Sequence, residues 1–88
     1  MLSLNIEHEP ITVTGFVIPV EWDKSGSATV VSIATNSFER YIVLDDPKGR
    51  ALVNFIDEHV KIRGVISGED LAGNKFIKLD RYNVLGQQ

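Results

Sequence analysis

Cysteine is absent from the 88 residues, so neither a disulfide framework nor a zinc-thiolate site can supplement the core. Apolar burial and backbone hydrogen bonding must hold the chain together, and the redox compartment is left open. No apolar run approaches the roughly 20 residues that a membrane-spanning helix needs. Met1 to Pro10 carries Glu7 and Glu9 without a basic start, which is not the pattern of a secretory leader. A soluble, cytoplasmic protein with no membrane partner is the expectation. Only three prolines interrupt a composition that is 43% hydrophobic and 24% charged, which places the chain with ordinary globular domains and not with disordered ones. One domain over residues 1–88 is expected, with 1–10 as an N-terminal extension and 86–88 as a frayed tail.

What the chain has in quantity is Val, Ile and Thr in short runs broken by Gly, Asn, Asp and Ser, a pattern that favours strands. Ile11 to Val20 alternates Ile11, Val13, Gly15 and Val17 against Thr12, Thr14, Phe16 and Ile18, until Pro19 weakens the ladder. Glu21 to Ala28 reads as a loop, Thr29 to Thr35 as a second strand ending at the turn pair Asn36-Ser37, and Arg40 to Leu44 as a third. Asp46-Pro47-Lys48-Gly49 reads as a turn. The period then changes: Leu52, Phe55, Ile56 and His59 recur at three and four residues, which predicts a short helix over Arg50 to Glu58 covering one end of a barrel. Val60 to Ser67 returns to alternation, Gly68 to Asn74 is a turn, and Lys75 to Val84 is the last strand.

The first and fourth strands share the pattern apolar-x-apolar-x-Gly-x-apolar, in Ile11-Thr12-Val13-Thr14-Gly15-Phe16-Val17 and Val60-Lys61-Ile62-Arg63-Gly64-Val65-Ile66. A mid-strand glycine packs nothing, so two at matching positions predict strands that bend or bulge at barrel corners. Three strands, a helix and two more strands, with glycine-kinked first and fourth strands, resemble the OB-fold, a five-stranded Greek-key β-barrel. The resemblance covers about Ile11 to Leu85. Its most family-like stretch is Val60 to Ile66 followed, after a glycine turn, by Lys75-Phe76-Ile77-Lys78-Leu79, as in small bacterial OB domains. It implies an all-β barrel with one short helix between strands 3 and 4, and a ligand that is single-stranded nucleic acid, an oligosaccharide or a protein. An SH3-like barrel or split sandwich is the competing architecture.

Catalytic and metal constellations are sparse. Glu7-His8-Glu9 offers three ligand types, but in an extended segment neighbours point to opposite sides and do not converge on one ion. His59 follows Asp57-Glu58, where an imidazolium favours a helix C-terminus. Asp45-Asp46 and Asp57-Glu58 lack the spacing of a calcium loop, Ser25 and Ser27 sit in no nucleophile elbow, and the glycines form no phosphate-binding motif. No enzyme, metal or cofactor is expected.

Net charge −3 argues against strong nonspecific nucleic-acid binding, whose affinity comes from cations displacing counterions. The charge is uneven, however: residues 1–46 hold two basic and seven acidic groups, and residues 47–88 hold seven basic and five acidic. If Val60, Ile62, Ile77 and Leu79 face inward, then Lys61, Arg63, Phe76 and Lys78 face out, with Arg81 beyond them. Cations beside an aromatic are what single-strand binding requires. The bland reading is a solvated basic face with Phe76 packed under a loop. Trp22, in the first long loop, can cap the barrel, anchor a partner or stack a base, and its neighbours Glu21 and Asp23 repel phosphate. Phe38 and Tyr41 add aromatic area near the second turn, with at least one of them assigned to the core. The leading expectation is a non-catalytic OB-type module that binds single-stranded DNA or RNA weakly through Lys61, Arg63, Phe76, Lys78 and Arg81. The alternative is a protein-interaction or assembly module that uses Trp22, Phe38 and Tyr41 with the acidic first half.

Overall fold

The β-branched residues do form strands, and in the computed structural model, which describes residues 9–86, these strands close into a barrel. They are β1 (Ile11–Trp22), β2 (Ala28–Ala34), β3 (Arg40–Val43), β4 (His59–Glu69) and β5 (Lys75–Gly86), in the order β1-β2-β3-β5-β4 around the barrel. All neighbouring pairs are antiparallel except β3 and β5. This is the expected OB-type architecture, with helical structure between the third and fourth strands. Val17, Ile33, Leu52, Val60 and Ile77 are wholly excluded from solvent and define the centre of the core. Glu7 and His8, most of the N-terminal extension, and Gln87 and Gln88 lie outside the described residues, whereas Gly86 is the last residue of β5.

The helix begins earlier than the sequence periodicity predicts. It runs over Pro47–Arg50 as α1 and continues as a 3-10 turn over Ala51–Phe55, so Asp46-Pro47-Lys48-Gly49 is a helix start and not a free turn. Asp46 is the N-cap: its Oδ1 accepts a hydrogen bond from the Gly49 N–H at 2.8 Å, and proline supplies the fixed φ of the first position. Asp57, at φ 68°, turns the chain back, and its N–H donates to the Val17 carbonyl. His59 is the first residue of β4, not a helix cap.

Gly15 and Gly64 play equivalent parts. A Cβ at Gly15 would collide with the Ala34 carbonyl oxygen, and one at Gly64 with the Lys78 carbonyl oxygen. β1 pairs with β4 over Ile11 to Phe16 and with β2 over Phe16 to Trp22, so Gly15 stands where β1 passes from one partner to the other. Beside Gly64, the register steps from Arg63 opposite Arg81 to Gly64 opposite Leu79, leaving Asp80 as a bulged residue on β5. The paired glycines therefore mark corners, as their matching positions predict.

Two hairpin loops repeat one design. Asp23 Oδ1 accepts from the N–H groups of Ser25 (2.9 Å) and Ser27 (3.1 Å), and Asp70 Oδ1 accepts from those of Ala72 (3.0 Å) and Asn74 (2.9 Å). Each loop then places a glycine at positive φ, Gly26 at 88° and Gly73 at 91°, the left-handed residue that closes a bulged hairpin.

Asp46 carries a testable pH dependence. The Gly49 N–H, and after it the Lys78 ammonium, hold its carboxyl below the ordinary aspartate range. A folded-state pKa depressed in this way contributes stability above the unfolded value of about 3.9 and loses it as pH falls through the folded value. Urea midpoints should therefore hold steady from about pH 7 to 5 and fall below about pH 4. Asp46→Asn preserves the cap and should flatten part of that fall, whereas Asp46→Ala should cost about 1 kcal/mol at neutral pH.

Candidate nucleic-acid interface

Alternation along β4, together with the bulge in β5, decides which cations meet. Val60 and Ile62 point into the core, so Lys61 and Arg63 point out. On β5, Ile77 and Leu79 point in, and uninterrupted alternation would send Arg81 in after them. The extra residue Asp80 reverses the parity: Arg81 turns to solvent and Tyr82 turns inward, its ring 5.7 Å from that of Phe55. Arg63 then lies directly opposite Arg81, and Lys61 opposite Asn83. On the other side of β4, Thr12 of β1 lies opposite Arg63, and Thr14 opposite Lys61.

The result is a shallow depression of about 150 Å³ where Lys61, Arg63 and Arg81 converge with Thr12 and Asn83. No carboxylate among the described residues lines it. Among the described residues, Lys61 and Arg63 have no salt-bridge partner, and Arg81 has only its neighbour Asp80 at the 4.0 Å limit. Like charges directly opposed across strands destabilise a sheet, so the Arg63–Arg81 pair does not serve the fold and presents uncompensated positive charge. The next row along β1 and β4 pairs Phe16 with His59, whose rings stack with centroids 4.8 Å apart. An aromatic pair thus adjoins the cations. Sequence reasoning missed it, because it placed His59 at a helix end and gave Phe16 no role.

Phe76 and Lys78 are not part of this cluster. Phe76 pairs with Gly68, five residues along β4 from Arg63, which at the rise of a strand is about 16 Å away. It lies beside Ile42 of β3, in a groove that also contains Glu21, Asp45 and Asp70. Lys78 is engaged elsewhere: its Nζ meets Asp46 Oδ2 at 3.0 Å. Of the three aromatics assigned to a partner face, Tyr41 is 9% exposed and belongs to the core, its hydroxyl donating to Glu39 Oε1 at 3.1 Å. Burial and the Glu39 carboxylate both push the Tyr41 phenol above its ordinary pKa, which keeps it neutral. Trp22, at the end of β1, is 57% exposed, and Phe38 is 99% exposed in a left-handed turn at φ 67°. Trp22 pairs with Ala28 at the start of β2 and Phe38 lies in the turn beyond the end of β2, so the three do not form one patch.

Among the described residues, no three His, Asp or Glu side chains are grouped so as to hold a metal ion, and no helix is long and apolar enough to cross a membrane. No protein-family model and no curated relative matches the chain. Two crystal forms of Rim1, a mitochondrial single-stranded DNA binding protein from S. cerevisiae, share its architecture, each with a TM-score of 0.57. Their sequence identities to this chain are 12% and 15%, and in both cases 93% of this chain and 98% of the other are covered. Strand order, helix position and this likeness agree: the chain is a five-stranded OB-fold barrel with one short helix.

Proposed function

We propose that the protein is a non-catalytic OB-fold module that binds single-stranded nucleic acid weakly along the outer face of β1, β4 and β5. The observation that carries this reading is the opposed Arg63–Arg81 pair with Lys61 beside it, in a depression that no carboxylate among the described residues lines, in a chain whose net charge is −3. Phosphates supply the counter-charge that the fold withholds, and Phe16 stacked on His59 offers a ring at the end of the row for a base. Thr12, Thr14 and Asn83 add hydrogen-bonding groups between the cations. The likeness to a single-stranded DNA binding protein supports the same ligand class. Phe76 and Lys78 drop out of the proposed contact set.

Three phosphate contacts set the expected salt response. Fluorescence anisotropy with labelled single-stranded DNA and RNA should show saturable binding whose log–log salt slope is about −2. Binding that is absent below about 100 μM at low salt, or that ignores salt, overturns the proposal.

A further inference from the structure

The face between the two aspartate-anchored hairpins has the opposite character to the cationic row. Val20, Val30, Ile42 and Phe76 line a groove of about 380 Å³ there. Glu21 near the end of β1, Asp45 after β3 and Asp70 in the β4–β5 turn also line it, and no cation among the described residues does. Two residues beyond Val30 on β2, Ser32 pairs with Ile18 and Ile42. Ser32 is 0% exposed and its hydroxyl has no hydrogen-bond partner among the described residues. Floor and rim thus differ in what they ask of a ligand: the floor requires apolar side chains, and the rim repels phosphate and attracts cations.

We infer that this groove docks a cationic, apolar peptide segment of a partner protein, through apolar side chains laid on Ile42 and Phe76 and lysine or arginine set against Glu21, Asp45 and Asp70. The Asn74 side-chain amide, and after it the N–H groups of the turn, hold the Asp70 carboxyl below the ordinary aspartate range, and Glu21 is exposed without a salt-bridge partner among the described residues. Asp45 shares its charge with Arg50, so a partner cation contends with that pair. Single-stranded nucleic acid fits neither demand, because its backbone would face three carboxylates. The groove and the cationic row lie on different faces of the barrel, so the two ligands do not compete for the same side chains.

Amide chemical-shift titration of the full chain tests this with three capped peptides of equal length, one alternating Lys and Leu, one Glu and Leu, and one Lys and Ser. The Lys/Leu peptide should give saturable shifts centred on Glu21, Val30, Ile42 and Phe76, and the other two should bind at least tenfold more weakly. Glu21→Lys, a surface change that leaves the core intact, should weaken the Lys/Leu peptide at least fivefold. Equal binding of the Glu/Leu or Lys/Ser peptide overturns the inference, as does an absence of saturable shifts for all three. Two further results would also overturn it: groove shifts produced by oligothymidylate, and groove shifts that grow with protein concentration alone, which would identify a second copy as the occupant. The oligonucleotide reading is monitored at Lys61, Arg63 and Arg81, so either proposal can fail while the other stands.

Discussion

Gly64→Val should lower the unfolding free energy by about 3 kcal/mol or more, because the added Cβ meets the Lys78 carbonyl oxygen and its methyl groups have nowhere to go. For a domain of this size that is a fall in Tm of about 12–24 °C. The collision involves backbone, not the end of a flexible side chain, so the sheet itself must move. Ile77 Cγ1, 3.0 Å from the same added atom, blocks the inward escape. Gly68 provides the control on the same strand. A Cβ there has only Phe76 Cδ2 at 4.0 Å, so Gly68→Val should change stability by no more than the roughly 1 kcal/mol span of strand propensity. Chemical denaturation of both variants separates the cases. Equal, small effects would mean that the Gly64 corner is soft and that the close approach is not what shapes the barrel.

Reversing all three cations of the outer face, in the combined variant Lys61→Glu, Arg63→Glu and Arg81→Glu, should remove oligonucleotide binding up to about 100 μM even at low salt. The fold should tolerate the change. Lys61 and Arg81 are exposed and Arg63 half-buried, and none makes a hydrogen bond that holds a loop or a helix end among the described residues. Like charges opposed across β4 and β5 remain like charges, so the cross-strand repulsion is the same in kind before and after. Measuring Tm beside anisotropy distinguishes a lost ligand contact from a lost fold. A variant that keeps wild-type affinity would remove Lys61, Arg63 and Arg81 from the interface altogether. As a counterpart, Lys78→Glu should leave oligonucleotide affinity unchanged, because Lys78 is paired with Asp46 on another part of the surface.

The strands were legible because Val, Ile and Thr alternate with polar residues in short runs, and the two corner glycines because they occupy matching places in Ile11 to Val17 and Val60 to Ile66. Helix position was less legible. The apolar spacing of Leu52, Phe55 and Ile56 marked the buried face but not the start, which Asp46 sets by capping Gly49 three residues before the predicted first residue. A stricter reading of Asp-Pro as N-cap and first helical residue would have found it. The candidate site was legible in its cations and illegible in its grouping. Lys61, Arg63, Phe76, Lys78 and Arg81 look like one surface when two strands are written side by side. In the barrel, strand length carries Phe76 away, an ion pair takes Lys78, and a bulge brings Arg81 outward. Gly64 marked the corner, but the extra residue, Asp80, lies on the partner strand β5, whose own pattern does not show it. The repeated Asp-x-x-Gly hairpins, by contrast, were present in the sequence as Asp23 to Gly26 and Asp70 to Gly73, and the pattern was a usable signal.

The barrel is also unevenly fastened. β3 meets β5 only through Tyr41, Ile42 and Val43 against Lys75, Phe76 and Ile77, with one more backbone bond from the Leu44 N–H to the Ile77 carbonyl, whereas the β4–β5 ladder runs from His59 to Glu69. Local opening draws on the least protected part of a structure, so hydrogen exchange at the β3 amides should run ahead of exchange in the middle of β4. Ile42 and Phe76, which form the floor of the acidic groove, face each other across that same seam. A peptide held there would clamp both sides together and slow exchange at amides it never touches, so that occupancy of the groove is readable as a change in the breathing of the whole barrel.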